Sequence, residues 1–69
     1  MDKNIRDRQI MAVREYINSR SLALTMDGLV HRHESSARHC ISVNEAMDAG
    51  MIVALSPVLL RIEGQVIRL

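Results

Sequence analysis

The chain has 69 residues and a formal net charge of +1, which suits one domain, residues 1–69, with a thin core, since a fold of this size buries only about 60% of its unfolded surface. Its single cysteine, Cys40, excludes an intrachain disulfide and fits a reducing compartment. Its single aromatic, Tyr16, argues against the stacking platforms that grip single-stranded nucleic acid.

Residues 1–6 are expected to be loosely ordered, with a first helix following from about Asp7 to Ser19. Ile10, Val13 and Ile17 fall at i, i+3 and i+7, and Tyr16 extends that stripe. Asn18-Ser19-Arg20-Ser21 supplies stop and turn chemistry. A second, shorter helix is predicted from Thr25, an N-cap residue type, with Asp27 in its first turn and Met26, Leu29 and Val30 inward. Gly28 weighs against that helix.

His31-Arg32-His33-Glu34 reads as a polar turn. A third helix is predicted over about 35–49, capped by Ser35 or Ser36, with Ala37, Cys40, Val43 and Met47 as its apolar stripe and Gly50 as its stop. A rival start exists: Ser42-Val43-Asn44-Glu45 matches a capping box, which would leave residues 39–41 extended. The longer helix is the preferred reading. After Gly50 the period becomes two. Met51 to Leu55 reads as a strand, Ser56-Pro57 as a break, and Val58 to Leu69 as a hairpin turning at Glu63-Gly64. That turn pairs Ile62 with Gln65, Leu60 with Ile67 and Val58 with Leu69. Val58, Leu60, Ile62, Ile67 and Leu69 then share an apolar face, opposite Leu59, Arg61, Val66 and Arg68. The five methionines suit gap-filling core positions.

Three helices, a strand and a hairpin in that order make an α+β, mostly α, winged helix-turn-helix. Ser35-Ser36-Ala37-Arg38 resembles the opening of a recognition helix in such domains, and Glu45-Ala46-Met47-Asp48-Ala49-Gly50-Met51-Ile52 resembles the exit into the wing. The spacing from Thr25 to Gly50 is similar to that of the small pilus-operon regulators of the PapI and FaeA type, over roughly Arg8 to Leu69. The sequence departs from that pattern at Gly28 and Ala46. The resemblance implies sequence-specific binding of double-stranded DNA by a bacterial, phage or plasmid transcription regulator, with the third helix in the major groove. Carried over by position, Ser35, Ser36, Arg38, His39 and Ser42 would face DNA. Arg32 would contact phosphate, and Arg61, Gln65 and Arg68 would be the donors of the wing.

Charge leaves a second reading open. Eight arginines against one lysine suit phosphate and guanine, but also protein interfaces. The low net charge, Glu63 at the wing tip, and apolar Leu59 and Val66 beside the arginines favour a protein-interaction module instead. Either reading allows a homodimer or a larger protein partner. His31, His33, His39 and Cys40 are zinc-ligand types, yet two histidines one residue apart do not share a helix face and Cys40 falls on the apolar stripe, so no metal is assigned. No catalytic motif, cofactor signature or small-molecule substrate is evident. The longest apolar run is too short for a membrane span, and Met1 to Asn4 lacks a signal peptide's apolar stretch, so a cytoplasmic protein is expected.

Overall fold

The computed structural model describes residues 3–33 and 39–69. Its elements are α1 (Lys3–Ser19), β1 (Leu22–Thr25), β2 (Gly28–His31), α2 (Val43–Asp48), β3 (Ile52–Ser56), β4 (Leu59–Ile62) and β5 (Gln65–Arg68). The strands form two antiparallel sheets, β1–β2 and β3–β4–β5. The winged helix-turn-helix expectation is therefore corrected: two helices are present among the described residues, not three, and five strands make the chain an even mixture of helix and sheet.

α1 follows its apolar stripe, though it starts at Lys3 rather than Asp7. Val13 and Ile17 are buried, with Ile10 and Tyr16 half-buried beside them. It ends where Ser21 adopts a left-handed φ of 53°. The Ser19 hydroxyl donates to the Tyr16 carbonyl at 3.0 Å, and the Arg20 guanidinium lies 4.1 Å over the Tyr16 ring.

The predicted second helix is a hairpin. The Thr25 hydroxyl accepts the Asp27 N–H at 3.1 Å and donates to the Gly28 carbonyl at 3.1 Å, closing the Met26-Asp27 turn. The same hydroxyl-to-backbone contact that caps a helix also closes such a turn, so Thr25 and Asp27 carry both signals. Gly28 decides between them. Its φ of +113° lies outside any helix and is open to glycine alone at little cost. Leu22 pairs with His31 and Thr25 with Gly28.

Among the described residues, the predicted third helix is confined to Val43–Asp48, where the capping box sets its start. The Ser42 hydroxyl accepts the Glu45 N–H at 3.0 Å and the Glu45 carboxylate accepts the Ser42 N–H at 3.0 Å. Ahead of it the chain is extended: the Ile41 N–H donates to the Leu24 carbonyl at 2.9 Å and Cys40 bridges Thr25. Pairing with β1 satisfies backbone groups that a longer helix would have bonded internally. Gly50, at φ 80°, ends α2 as expected, with the Gly50 N–H on the Met47 carbonyl and the Met51 N–H on the Ala46 carbonyl.

The C-terminal hairpin has the predicted register: Ile62 with Gln65, Leu60 with Ile67, and the Leu69 N–H donating to the Val58 carbonyl at 2.9 Å. Glu63 and Gly64 both have positive φ, 50° and 80°, the condition for a two-residue turn that matches strand twist. β3 pairs with β4 through a bulge near Leu55. The core joins Val13 and Ile17 of α1, Leu24 of β1, Val43 and Ala46 of α2, Ile52 of β3, and Leu60 and Ile62 of β4. The expected apolar face is thus buried only at Leu60 and Ile62, with Ile67 half-buried and Val58 and Leu69 exposed. Met47 and Met51 pack on the core as expected, whereas Met11 and Met26 are exposed.

Candidate interaction surface

Two of the arginines singled out in the sequence share one face of the larger sheet. Arg61 pairs with Val53 and Val66, and Arg68 pairs with Leu59. Because side chains alternate across a strand, Val53, Leu59, Arg61, Val66 and Arg68 all face away from the core. Among these five residues two carry guanidinium groups and none is acidic. Gln65, paired with Ile62, belongs to the opposite face despite its exposure.

β5 is a terminal strand of its sheet. The bond from Leu69 N–H to Val58 fixes the phase of the ladder, in which bonded pairs alternate with non-bonded ones. Gln65, Ile67 and Leu69 therefore aim their backbone groups at β4, and Val66 and Arg68 aim theirs outward. Beside that edge, α1 and β5 enclose an open groove of about 620 Å³, lined by Arg8, Met11, Tyr16, Ile67, Arg68 and Leu69 among others. Of its lining, Met11 is 59% accessible and Leu69 is also exposed, while Arg8, Glu15, Ser19 and Arg68 add polar groups; Val66, 58% accessible, lies on the neighbouring sheet face.

The other predicted contact residues do not converge there. Ser35, Ser36 and Arg38 lie outside the described residues. His39 is exposed ahead of the Cys40 bridge. Ser42 is occupied by the capping box. The Arg32 guanidinium donates to Asn18 Oδ1 at 2.9 Å and to the Leu22 carbonyl at 3.2 Å, so it closes the α1–β1 junction. The described part of the expected recognition helix is α2, whose exposed residues are Asn44, Glu45 and Asp48. Asn44 and Asp48 are both held by the Arg6 guanidinium. Glu63, expected at the wing tip, is turned inward against the first hairpin, where its carboxylate accepts the Leu29 N–H at 2.6 Å.

The α1–β5 groove and the open edge were missed in the sequence. Their only signal was Leu59 and Val66 alternating with Arg61 and Arg68, and that pattern does not reveal which strand is terminal. No family model, curated protein or solved structure matches the chain. No helix among the described residues is long and apolar enough to cross a membrane.

Proposed function

We propose that this protein is an interaction module that receives an extended segment of another protein along β5. The observation that carries this reading is the open β5 edge, where the backbone groups of Val66 and Arg68 point away from β4 beside the α1–β5 groove. Added strands gain affinity from main-chain bonds and specificity from alternating side-chain sites. Here one set of side chains would enter the groove against Met11, Tyr16 and Leu69. The other set would lie by Val66, Arg68 and Arg61, where carboxylates are favoured. Four residues of edge admit a strand of about 13 Å.

Double-stranded DNA is the second reading, favoured by Arg61 and Arg68 on one sheet face, since paired strands also enter DNA grooves. Against it stands the net charge of +1, which offers little phosphate-driven affinity.

One variant separates the two. Val66→Pro deletes an outward N–H and leaves every β4–β5 ladder bond in place. Peptides selected on the wild-type protein from a random displayed library are expected to be rich in aliphatic residues and carboxylates. They should perturb the amide resonances of Val66 to Leu69 and of the α1 face, and bind Val66→Pro at least tenfold more weakly. Peptides that bind both proteins equally, or a duplex DNA that binds tightly through Arg61 and Arg68, would overturn the strand-addition reading.

A further inference from the structure

On the strand-addition reading, on which this rests, we propose that the received segment runs antiparallel to β5. In chain order it carries an acidic residue opposite Arg68, an apolar residue opposite Ile67 and an aliphatic residue opposite Val66. Direction follows from the shortness of the edge. β5 spans Gln65–Arg68, and within it Val66 and Arg68 aim their backbone groups outward. In an antiparallel ladder each bonded residue exchanges its N–H and C=O with the residue directly opposite. Three consecutive partner residues therefore satisfy every one of these outward groups. A parallel partner divides each residue's two bonds between the residues on either side of the one opposite. It must run further along the edge to make as many bonds.

Side chains alternate across the added strand, so its first and third residues lie on the outer face and the middle one faces α1. The first stands directly across from Arg68, at about 5.5 Å between Cα atoms. Arg68 pairs with Leu59 on its other side, and Arg61 is its diagonal neighbour on β4. Both arginines are exposed, and among the described residues no carboxylate pairs with either guanidinium. Two such cations attract an acid at the first position and repel a base. The third residue stands across from exposed Val66, where a branched aliphatic side chain extends the apolar contact. The middle residue lies beside Ile67 and turns toward Met11 and Ala12 of the groove, while Glu15 in the same lining disfavours a second acid there.

The test titrates the full chain with capped heptapeptides centred on Glu-Leu-Val or on Lys-Leu-Val, followed by the amide resonances. The glutamate peptide is expected to bind about tenfold more tightly than the lysine peptide, and Arg68→Glu to invert that order. Arg68 is exposed, so the variant should keep a dispersed spectrum, and the two peptides on the wild-type chain read the charge preference without it. Direction is read with a nitroxide on the glutamate peptide. At its N-terminus the label should broaden Arg68 and Leu69 more than Gly64 and Gln65, and at its C-terminus the reverse. Absent binding of the glutamate peptide, equal binding of the two peptides, no inversion in folded Arg68→Glu, or broadening in the opposite sense overturns the proposal. Strand addition survives any of these so long as library-selected peptides bind Val66→Pro more weakly than wild type. If they bind both equally, strand addition itself falls.

Discussion

Gly28 and Glu63 belong to different hairpins but occupy one another's space. A Cβ at position 28 would lie 2.1 Å from the Glu63 Oε2 atom, and the φ of +113° is itself strained for any residue with a side chain. Glu63 in turn accepts the Leu29 N–H. Gly28→Ala is therefore expected to cost about 2 kcal/mol or more, combining backbone strain with displacement of the carboxylate. Glu63→Ala should cost about 1 kcal/mol for the lost charge-assisted bond, moderated by solvent exposure. The double variant should cost less than the two together, because Gly28→Ala already dislodges the carboxylate. Urea denaturation of the four proteins checks this, and strict additivity would contradict the contact. Glu63-Gly64 was legible as a turn through Gly64, which takes positive φ without steric cost, whereas the φ of 50° at Glu63 is uncommon for a residue with a side chain. The role of the Glu63 side chain was not legible. It acts across 34 positions of chain, on a residue that the local pattern assigns to a helix.

At the scale of elements, the strongest signals were those whose chemistry has one outcome. The Ser42–Glu45 box needs both side chains three residues apart, and Gly50 needs its positive φ, so both ends of α2 could be located from sequence. An apolar stripe through Cys40 favours the longer helix, but Cys40 is exposed and bridges Thr25. A stripe at helical spacing does not exclude an extended segment when a neighbouring strand offers backbone partners. Six residues are too few for a helix to stand alone, so α2 relies on its caps and on Val43 and Ala46 in the core. Ser42→Ala is expected to cost about 1 kcal/mol. Its amide protons from Ala46 to Asp48 should exchange several-fold faster, while those of β4 change only with global stability. Hydrogen exchange read by NMR separates these. Equal acceleration in α2 and β4 would show that α2 opens only when the whole chain unfolds. The ion pair from Arg6 to Asp48, 3.1 Å and exposed at both ends, is a weaker tie. Asp48→Asn should alter stability by less than about 1 kcal/mol, and less still in high salt.

For the molecule as a whole, the sequence showed the thin core and the C-terminal hairpin but not the number of hairpins. Register inside a hairpin is local, set by its turn. The turn between Leu22 and His31 is likewise local, closed by Thr25 and Gly28, but the bond from Ile41 to Leu24 that lays a further extended segment beside β1 is a long-range pairing without a local signature. β4 is the centre of its sheet because it pairs with both of its sequence neighbours, which leaves β5 as an edge. Leu60 and Leu59 are adjacent leucines on β4, one fully buried in the core and the other on the outer face. Leu60→Ala should cost about 2–5 kcal/mol, from lost transfer energy and the cavity left behind. A chain of this size holds only about 3–5 kcal/mol in total. The variant is therefore expected to be largely unfolded at room temperature, with its amide resonances collapsed toward random-coil positions. Leu59→Ala removes the same atoms from a half-exposed site and should cost about 1 kcal/mol, leaving a dispersed spectrum. If that outer face lies under a bound segment, Leu59→Ala should weaken peptide capture while the fold persists, which no loss in the core can imitate.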